Sequence, residues 1–227
     1  MTTSTRGKYM NQNQQDFEQG LDSPCHKLFT EMIPEFQEGY LSYVFQTEKK
    51  DIQKRRIKNI NKSFHRLITE PSFYLMPLSQ ESAEEIANKW HYQPPYDFYD
   101  MTADIEDYKE ILSADKRGDH YFQVLRNGVL FGFVGFFKRH DQLEIVLGMK
   151  PDYVGKGYGR AFFQAIEDYA KLQFAAKCHV LKVADFNKRA KHLYCQMGYK
   201  GVTVYNQKTN GSAYPFVRME KWFSEKE

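Results

Sequence analysis

The chain has 227 residues, of which 41% are hydrophobic and 16% aromatic, and a formal net charge of +3. That length suits one large domain or one domain with an appendage, and the apolar content suffices for a sizeable core. The near balance of charge gives no argument for a nucleic-acid partner, and no run reaches the roughly 18 apolar residues that a membrane span needs.

The three cysteines, Cys25, Cys178 and Cys195, are odd in number, widely spaced and without a metal-ligand pattern, so no metal is expected. Cys178 and Cys195 fall in apolar segments and are expected to be buried thiols, which suits a reducing compartment. The first twenty residues lack the apolar core of a secretion signal. A cytoplasmic protein is expected.

Residues 1–22, rich in Gln, Asn and Thr, are expected to form a disordered tail. From Pro24 to Phe45 the residues Phe29, Ile33, Phe36, Tyr40 and Val44 recur at helical spacing, with Pro34 starting or kinking a helix. A second helical run carries Ile57, Ile60, Phe64 and Leu67 as its apolar seam and is ended by Pro71. Its other faces hold Lys49, Lys50, Lys54, Arg55, Arg56, Lys58, Lys62 and Arg66 against Glu48 and Asp51. Residues 23–71 therefore read as a helical N-terminal extension. A basic helix of this kind can bind RNA phosphates, but the seam argues first for packing on this domain or on a second subunit, so a homodimer stays open.

Residues 72–223 alternate strands and helices. The spacing predicts a strand over 72–77, a helix over 82–90, an aromatic stretch over 91–99 and a helix over 105–112. A strand pair over 120–126 and 129–138 is joined by Asn127-Gly128, a hairpin signal. A strand over 143–149, a glycine turn, a helix over 161–174, a strand over 180–184 and a helix from Asn187 follow. Strands over 202–205 and 215–220 lie around Asn210-Gly211. The pattern means a mixed α/β fold with antiparallel hairpins.

The stretch from Pro151 to Arg160 (Pro-Asp-Tyr-Val-Gly-Lys-Gly-Tyr-Gly-Arg) sits between a strand and a helix. Such a turn brings unpaired backbone N–H groups and the positive end of the helix dipole to one place, a natural site for a phosphate. Glycine lets an anion approach the backbone closely. A Walker loop needs Gly-x-x-x-x-Gly-Lys-Ser/Thr and a dinucleotide loop Gly-x-Gly-x-x-Gly; glycines at 155, 157 and 159 satisfy neither. A tight connection without ligand remains the plain alternative. In the second informative stretch, Asn187, Ala190, Tyr194, Gly198 and Tyr199, the seven-residue interval puts Asn187 and Tyr194 on one helix face. Taken singly, Asn187 reads as a helix cap, Tyr194 as core and Gly198 as a helix stop.

Together these two stretches resemble the acyl-CoA-binding motifs of the GNAT superfamily of N-acetyltransferases, whose loop reads Arg/Gln-x-x-Gly-x-Gly/Ala. Val154 stands where Arg or Gln is usual. The resemblance covers about residues 72–223 and implies a mainly antiparallel sheet flanked by helices. It also implies acetyl-CoA as co-substrate, a primary amine on a small molecule or peptide as acceptor, and direct attack in a ternary complex. It implies that Val154, Gly155, Lys156, Gly157, Tyr158, Gly159 and Arg160 hold the pyrophosphate. The pantetheine arm would run along the strand at Leu147 and Met149, where Gly148 would suit a strand irregularity, and would meet Asn187. Tyr194 is implied as the acid for the leaving thiolate. An unperturbed phenol (~10) and thiol (~8.5) differ by about 2 kcal/mol against full proton transfer, so a strengthening hydrogen bond is expected.

An alkylammonium with pKa near ~10.4 must lose a proton before it attacks. Glu144 shares a strand face with Val146 and Gly148 and is the first candidate base, ahead of Asp100, Tyr99 and His91; an exposed strand carboxylate is the competing reading. The segment Trp90–Asp100 resembles the aromatic loop of a bacterial subgroup of the family. It could hold an amine by cation–π and carboxylate contacts or plug two helices onto the sheet. The other class of function left open is a non-catalytic acyl-CoA sensor or partner-binding module.

Overall fold

The computed structural model describes residues 12–223, which fall into two compact units. One comprises the described residues up to Phe73 together with Leu125–Leu130; the other comprises Tyr74–Val124 and the chain from Phe131 onward.

The first unit is helical: α1 (12–19), α2 (Ser23–Glu31), α3 (Pro34–Phe45) and α4 (Lys50–Thr69). Asp22 caps α2, its side chain accepting the Cys25 N–H, and Pro24 occupies the first turn, where no N–H is needed. The single run read from Pro24 to Phe45 is two helices. Pro34 cannot donate to a preceding turn and holds Ile33 extended, so α2 ends at Glu31 and α3 starts afresh. Phe17, Cys25, Phe29, Val44, Ile60 and Phe64 form the core, with Phe17 edge-on to Phe29 at 4.7 Å. Ile57 and Leu67 complete the seam of α4 against that core, while Lys54, Arg55 and Lys58 face solvent.

Of the tail expected over residues 1–22, residues 1–11 lie outside the described residues, but 12–19 are helical and Phe17 is fully buried. Two apolar side chains, Phe17 and Leu21, anchor this polar segment. The turn Leu125–Leu130 packs with these helices. Asn127 accepts the Ser72 N–H, donates to the Leu67 carbonyl and takes a positive φ of 57°, and the Ile33 N–H donates to the Gly128 carbonyl at 2.9 Å.

The second unit is built on a seven-stranded sheet: β1 (Phe73–Pro77), β2 (Tyr121–Arg126), β3 (Val129–Arg139), β4 (Gln142–Met149), β5 (Cys178–Ala184), β6 (Lys200–Thr209) and β7 (Ser212–Trp222). Its order is β1-β2-β3-β4-β5-β7-β6. The pairs β3–β4, β5–β7 and β6–β7 are antiparallel, and β4–β5 is parallel. Its helices are α5 (Gln80–Lys89), α6 (Ile105–Leu112), α7 (Ala114–Arg117), α8 (Gly159–Gln173) and α9 (Lys188–Gln196).

On α8 the buried residues are Phe162, Phe163, Ile166, Glu167 and Ala170, and Tyr169 is half-buried. Glu167 is tolerated inside because the Lys171 and Lys221 ammonium groups reach it at 2.9 and 2.8 Å. Burial alone would raise its carboxyl, but the two lysines hold it below the usual range. Cys178 is buried as expected, whereas Cys195 is exposed. On α9 Tyr194 faces Phe163, which turns its neighbour, about 100° round the helix, toward solvent.

Candidate active site

The parallel partners β4 and β5 pair only at Gln142↔Cys178, Leu143↔His179 and Glu144↔Val180; beyond that point no pairing continues. Lys150 N–H donates to the Phe131 carbonyl at 2.8 Å, and the β3–β4 register runs unshifted from Gly132↔Met149. By strand alternation, Gly148, Val146 and Glu144 then bond toward β3, and the N–H groups of Leu147 and Met149 face the opening beside β5. The irregularity expected at Gly148 is thus absent from the β3–β4 ladder and lies on the other edge of β4. Gly148 is demanded by packing instead: a Cβ there would lie 2.3 Å from the Phe133 ring.

The glycine turn opens onto the N-terminus of α8. After a single turn at Pro151–Tyr153, the Val154 N–H donates to the Pro151 carbonyl and the Lys156 N–H makes a long contact to Tyr153 at 3.4 Å. Phe162 is the first residue of α8 to donate back along the helix, to Tyr158. Among the described residues the N–H groups of Gly155, Gly157, Gly159, Arg160 and Ala161 have no protein acceptor. Gly155 and Gly157 take φ of 78° and 84°, which favour glycine, and a Cβ on Gly157 would meet nothing within 4 Å. The turn is therefore open and rich in donors, with Lys156 and Arg160 adding formal charge. Arg189, to which the sequence reading gave no role, stacks on the Tyr96 ring at 4.2 Å, and its guanidinium comes within 4.0 Å of the Cβ position at Gly155.

Asn187 caps α9 by accepting the Ala190 N–H at 3.0 Å, and its amide donates to the Tyr99 hydroxyl at 3.2 Å. Asn187 is thus a cap, as its position before a helix suggested, and also a tie to the aromatic segment. Tyr194 is buried, tilted against Phe163 at 5.1 Å, and its hydroxyl has no hydrogen-bond partner among the described residues. Burial, with Tyr99 adding to it, pushes its pKa well above the usual phenol range, so the group is a neutral donor.

The aromatic segment is a bolted lining. Phe98 touches Phe186 at 5.3 Å and Tyr214 at 5.0 Å, and its carbonyl accepts the Asn210 side chain. Asp100 accepts from His91 and from the Tyr92 N–H, and the Tyr92 hydroxyl donates to the Met149 carbonyl at 2.9 Å. Ile86, Trp90, Tyr92, Tyr99, Met101 and Phe133 line a shallow recess. Glu144 is the last residue of β4 that pairs with β5, and it meets Lys182 of β5 at 2.8 Å. The sequence reading named Glu144 but not this lysine, whose place on the neighbouring strand depends on register.

The glycine loop follows β4 and the helix of Tyr194 follows β5, the two neighbouring strands that border the opening. The sequence profile of the acetyltransferase (GNAT) family matches residues 81–199, just over half of the chain, and spans all three. The chain belongs to the GNAT acetyltransferase family. As a member it is an acetyl-CoA-dependent N-acetyltransferase.

Among solved structures, the chain is similar to the spermidine N-acetyltransferase of Vibrio cholerae in complex with CoA and spermine, at 22% identity and a TM-score of 0.51, covering 66% of this chain and 95% of that one. It is also similar to a GNAT-family acetyltransferase from Bacillus anthracis, at 14% identity and a TM-score of 0.53, covering 66% and 94%. At these identities the likeness is one of fold. No curated protein sequence matches the chain.

Proposed function

We propose that this GNAT acetyltransferase moves the acetyl group of acetyl-CoA to a primary amine, on a small molecule or a peptide, by direct attack within a ternary complex. Acetyl-CoA supplies the acyl group as an activated thioester. The observation that carries the proposal is the set of unengaged N–H groups from Gly155 to Ala161 at the start of α8, beside the opening between β4 and β5. In this reading Gly155, Gly157, Gly159, Arg160 and Ala161 bind the diphosphate through their amides, and Val154, Lys156 and Tyr158 shape the turn. The Lys156, Arg160 and Arg189 side chains neutralise the phosphate charge. The N–H groups of Leu147 and Met149 take the amide-bearing arm, as an added strand would, with Asn187 at its far side.

Tyr194 donates a hydrogen bond to the departing sulfur. The burial that keeps it neutral also makes full proton transfer harder, so the strengthening hydrogen bond is its contribution. Glu144, held in place by Lys182, receives the proton that the acceptor ammonium must lose.

The test is mass spectrometry of the purified protein for co-bound CoA, followed by thiol release from acetyl-CoA across a panel of peptide, lysine, polyamine and small-metabolite amines. Thiol release that requires an amine is expected, with a large loss in Tyr194→Phe. Binding of CoA without amine-dependent release, and no change in Tyr194→Phe, would overturn the catalytic reading of this site.

A further inference from the structure

In the N-terminal helical unit, Asp22, Cys25 and His65 bring a carboxylate oxygen, a sulfur and a ring nitrogen within 4.8 Å of one another. Among the described residues no other group of three His, Cys, Asp or Glu side chains does so. Asp22 and Cys25 are three residues apart in the first turn of α2, and therefore share a face. His65 projects from α4 four residues after Asn61, on the same face of that helix.

Asn61 fixes the two elements together: its side-chain oxygen accepts the Asp22 N–H at 3.1 Å, and its amide donates to the Gly20 carbonyl at 2.8 Å. Asp22 then points one oxygen at the Cys25 N–H and the other at His65 Nε2, at 2.7 Å. The helix cap and the Asp22–His65 pair account for two of the three side chains. The third, the Cys25 sulfur of the helical core, lies within 4.8 Å of both of their ligand atoms. The Cys25 side chain is fully buried, its sulfur 3.5 Å from the Asn61 carbonyl.

We propose that Asp22, Cys25 and His65 bind a divalent cation of the zinc type, with water in the fourth position. Zinc holds sulfur at about 2.3 Å and nitrogen or oxygen at about 2.0–2.2 Å, which sets tetrahedral ligand separations near ~3.5 Å. The present spread is reached from there by side-chain adjustments of about an ångström. A sulfur ligand selects zinc-like ions over magnesium or calcium, which take oxygen. On binding, the Cys25 proton leaves to solvent and the thiolate, the Asp22 carboxylate and neutral His65 ligate the ion. The ion then cross-links α2 to α4. Ligands at positions 22, 25 and 65 are too far apart in the chain to show as a motif, which is why the cysteine pattern alone suggested no metal.

The test uses the full chain, reduced with a phosphine and stripped with a chelator, titrated with Co²⁺. One equivalent is expected to bind with a thiolate-to-cobalt charge-transfer band and tetrahedral visible bands, both removed by Zn²⁺. Cys25→Ser is expected to abolish the charge-transfer band, and His65→Gln to weaken Co²⁺ binding at least tenfold, with far-UV circular dichroism unchanged in both. Cys195→Ser, which removes the exposed thiol, is expected to retain the band. Absence of the band in the wild-type chain, its survival in Cys25→Ser, or its loss in Cys195→Ser would each overturn the proposal.

Discussion

Placing a charge at Gly157 probes the diphosphate site most selectively. Gly157 has φ of 84°, and a Cβ built on it meets nothing within 4 Å, so a short side chain fits. Asp and Asn pay the same modest cost for the left-handed backbone, which both tolerate better than other residues. Their shapes match, so Gly157→Asp compared with Gly157→Asn isolates one negative charge.

If the neighbouring amides hold a diphosphate, that charge stands about 5 Å from it. Coulomb's law gives roughly 3 kcal/mol at an effective dielectric of 20 and about 0.8 kcal/mol in bulk water. CoA binding should therefore weaken by between about fourfold and about 300-fold in Gly157→Asp relative to Gly157→Asn. The gap should shrink at 1 M salt, where the Debye length falls to about 3 Å. Isothermal titration of CoA at low and high salt reads both quantities, and thermal unfolding checks that the two variants are equally folded. Equal CoA affinities for the two variants at low salt would refute the placement of the diphosphate on this turn.

Tyr194→Phe should lower kcat by roughly 10- to 100-fold, the worth of one hydrogen bond to a charged group, with CoA affinity and melting temperature nearly unchanged; steady-state thiol release measures this. His179 is buried with Nδ1 unpaired, and burial, reinforced by Lys171 and Lys221 and opposed by Glu167, lowers it to about 4. The unfolded chain therefore takes up a proton near pH 6.5 that the folded chain refuses until about pH 4. Stability should fall by about 2 kcal/mol between neutrality and about pH 5 on this account. His179→Phe should flatten that part of the urea-denaturation profile; an unchanged slope would contradict it. Phe17→Ala should cost roughly 3–5 kcal/mol in the helical unit, because the ring is fully buried against Phe29. Hydrogen exchange in α2 and α4 reports it, and a change under about 1 kcal/mol would mean that α1 is not part of that core.

Much of this fold was legible because its determinants are local. The three-four rhythm of Ile57, Ile60, Phe64 and Leu67 gave α4, Asn127-Gly128 and Asn210-Gly211 gave two hairpins, and Asn187 gave the start of α9. The glycines at 155, 157 and 159 announced a turn whose donors are left open, because positive φ and a helix N-terminus are both written in neighbouring residues. The features that sequence concealed are those that depend on distant partners. Gly148 looked like a strand fault and is instead the seat of the Phe133 ring. Cys195 lies in an apolar-looking run, yet Tyr194 takes the inward face of α9. Glu167 is buried with its charge answered by Lys221, 54 residues away in the chain. Residues 12–19 looked too polar to order, but Phe17 alone finds a core made by α2 and α4. The pairing of Glu144 with Lys182 and the stacking of Arg189 on Tyr96 likewise follow from register and tertiary packing.

The central claim, that backbone donors at the start of α8 grip the diphosphate of a CoA ester, is tested most directly by a crystal structure of the full chain with CoA. The expected result is phosphate oxygens about 2.7–3.2 Å from the amide nitrogens of Gly157, Gly159 and Arg160 or Ala161, with the arm entering between β4 and β5. A CoA molecule bound elsewhere, leaving those amides facing solvent, would contradict it.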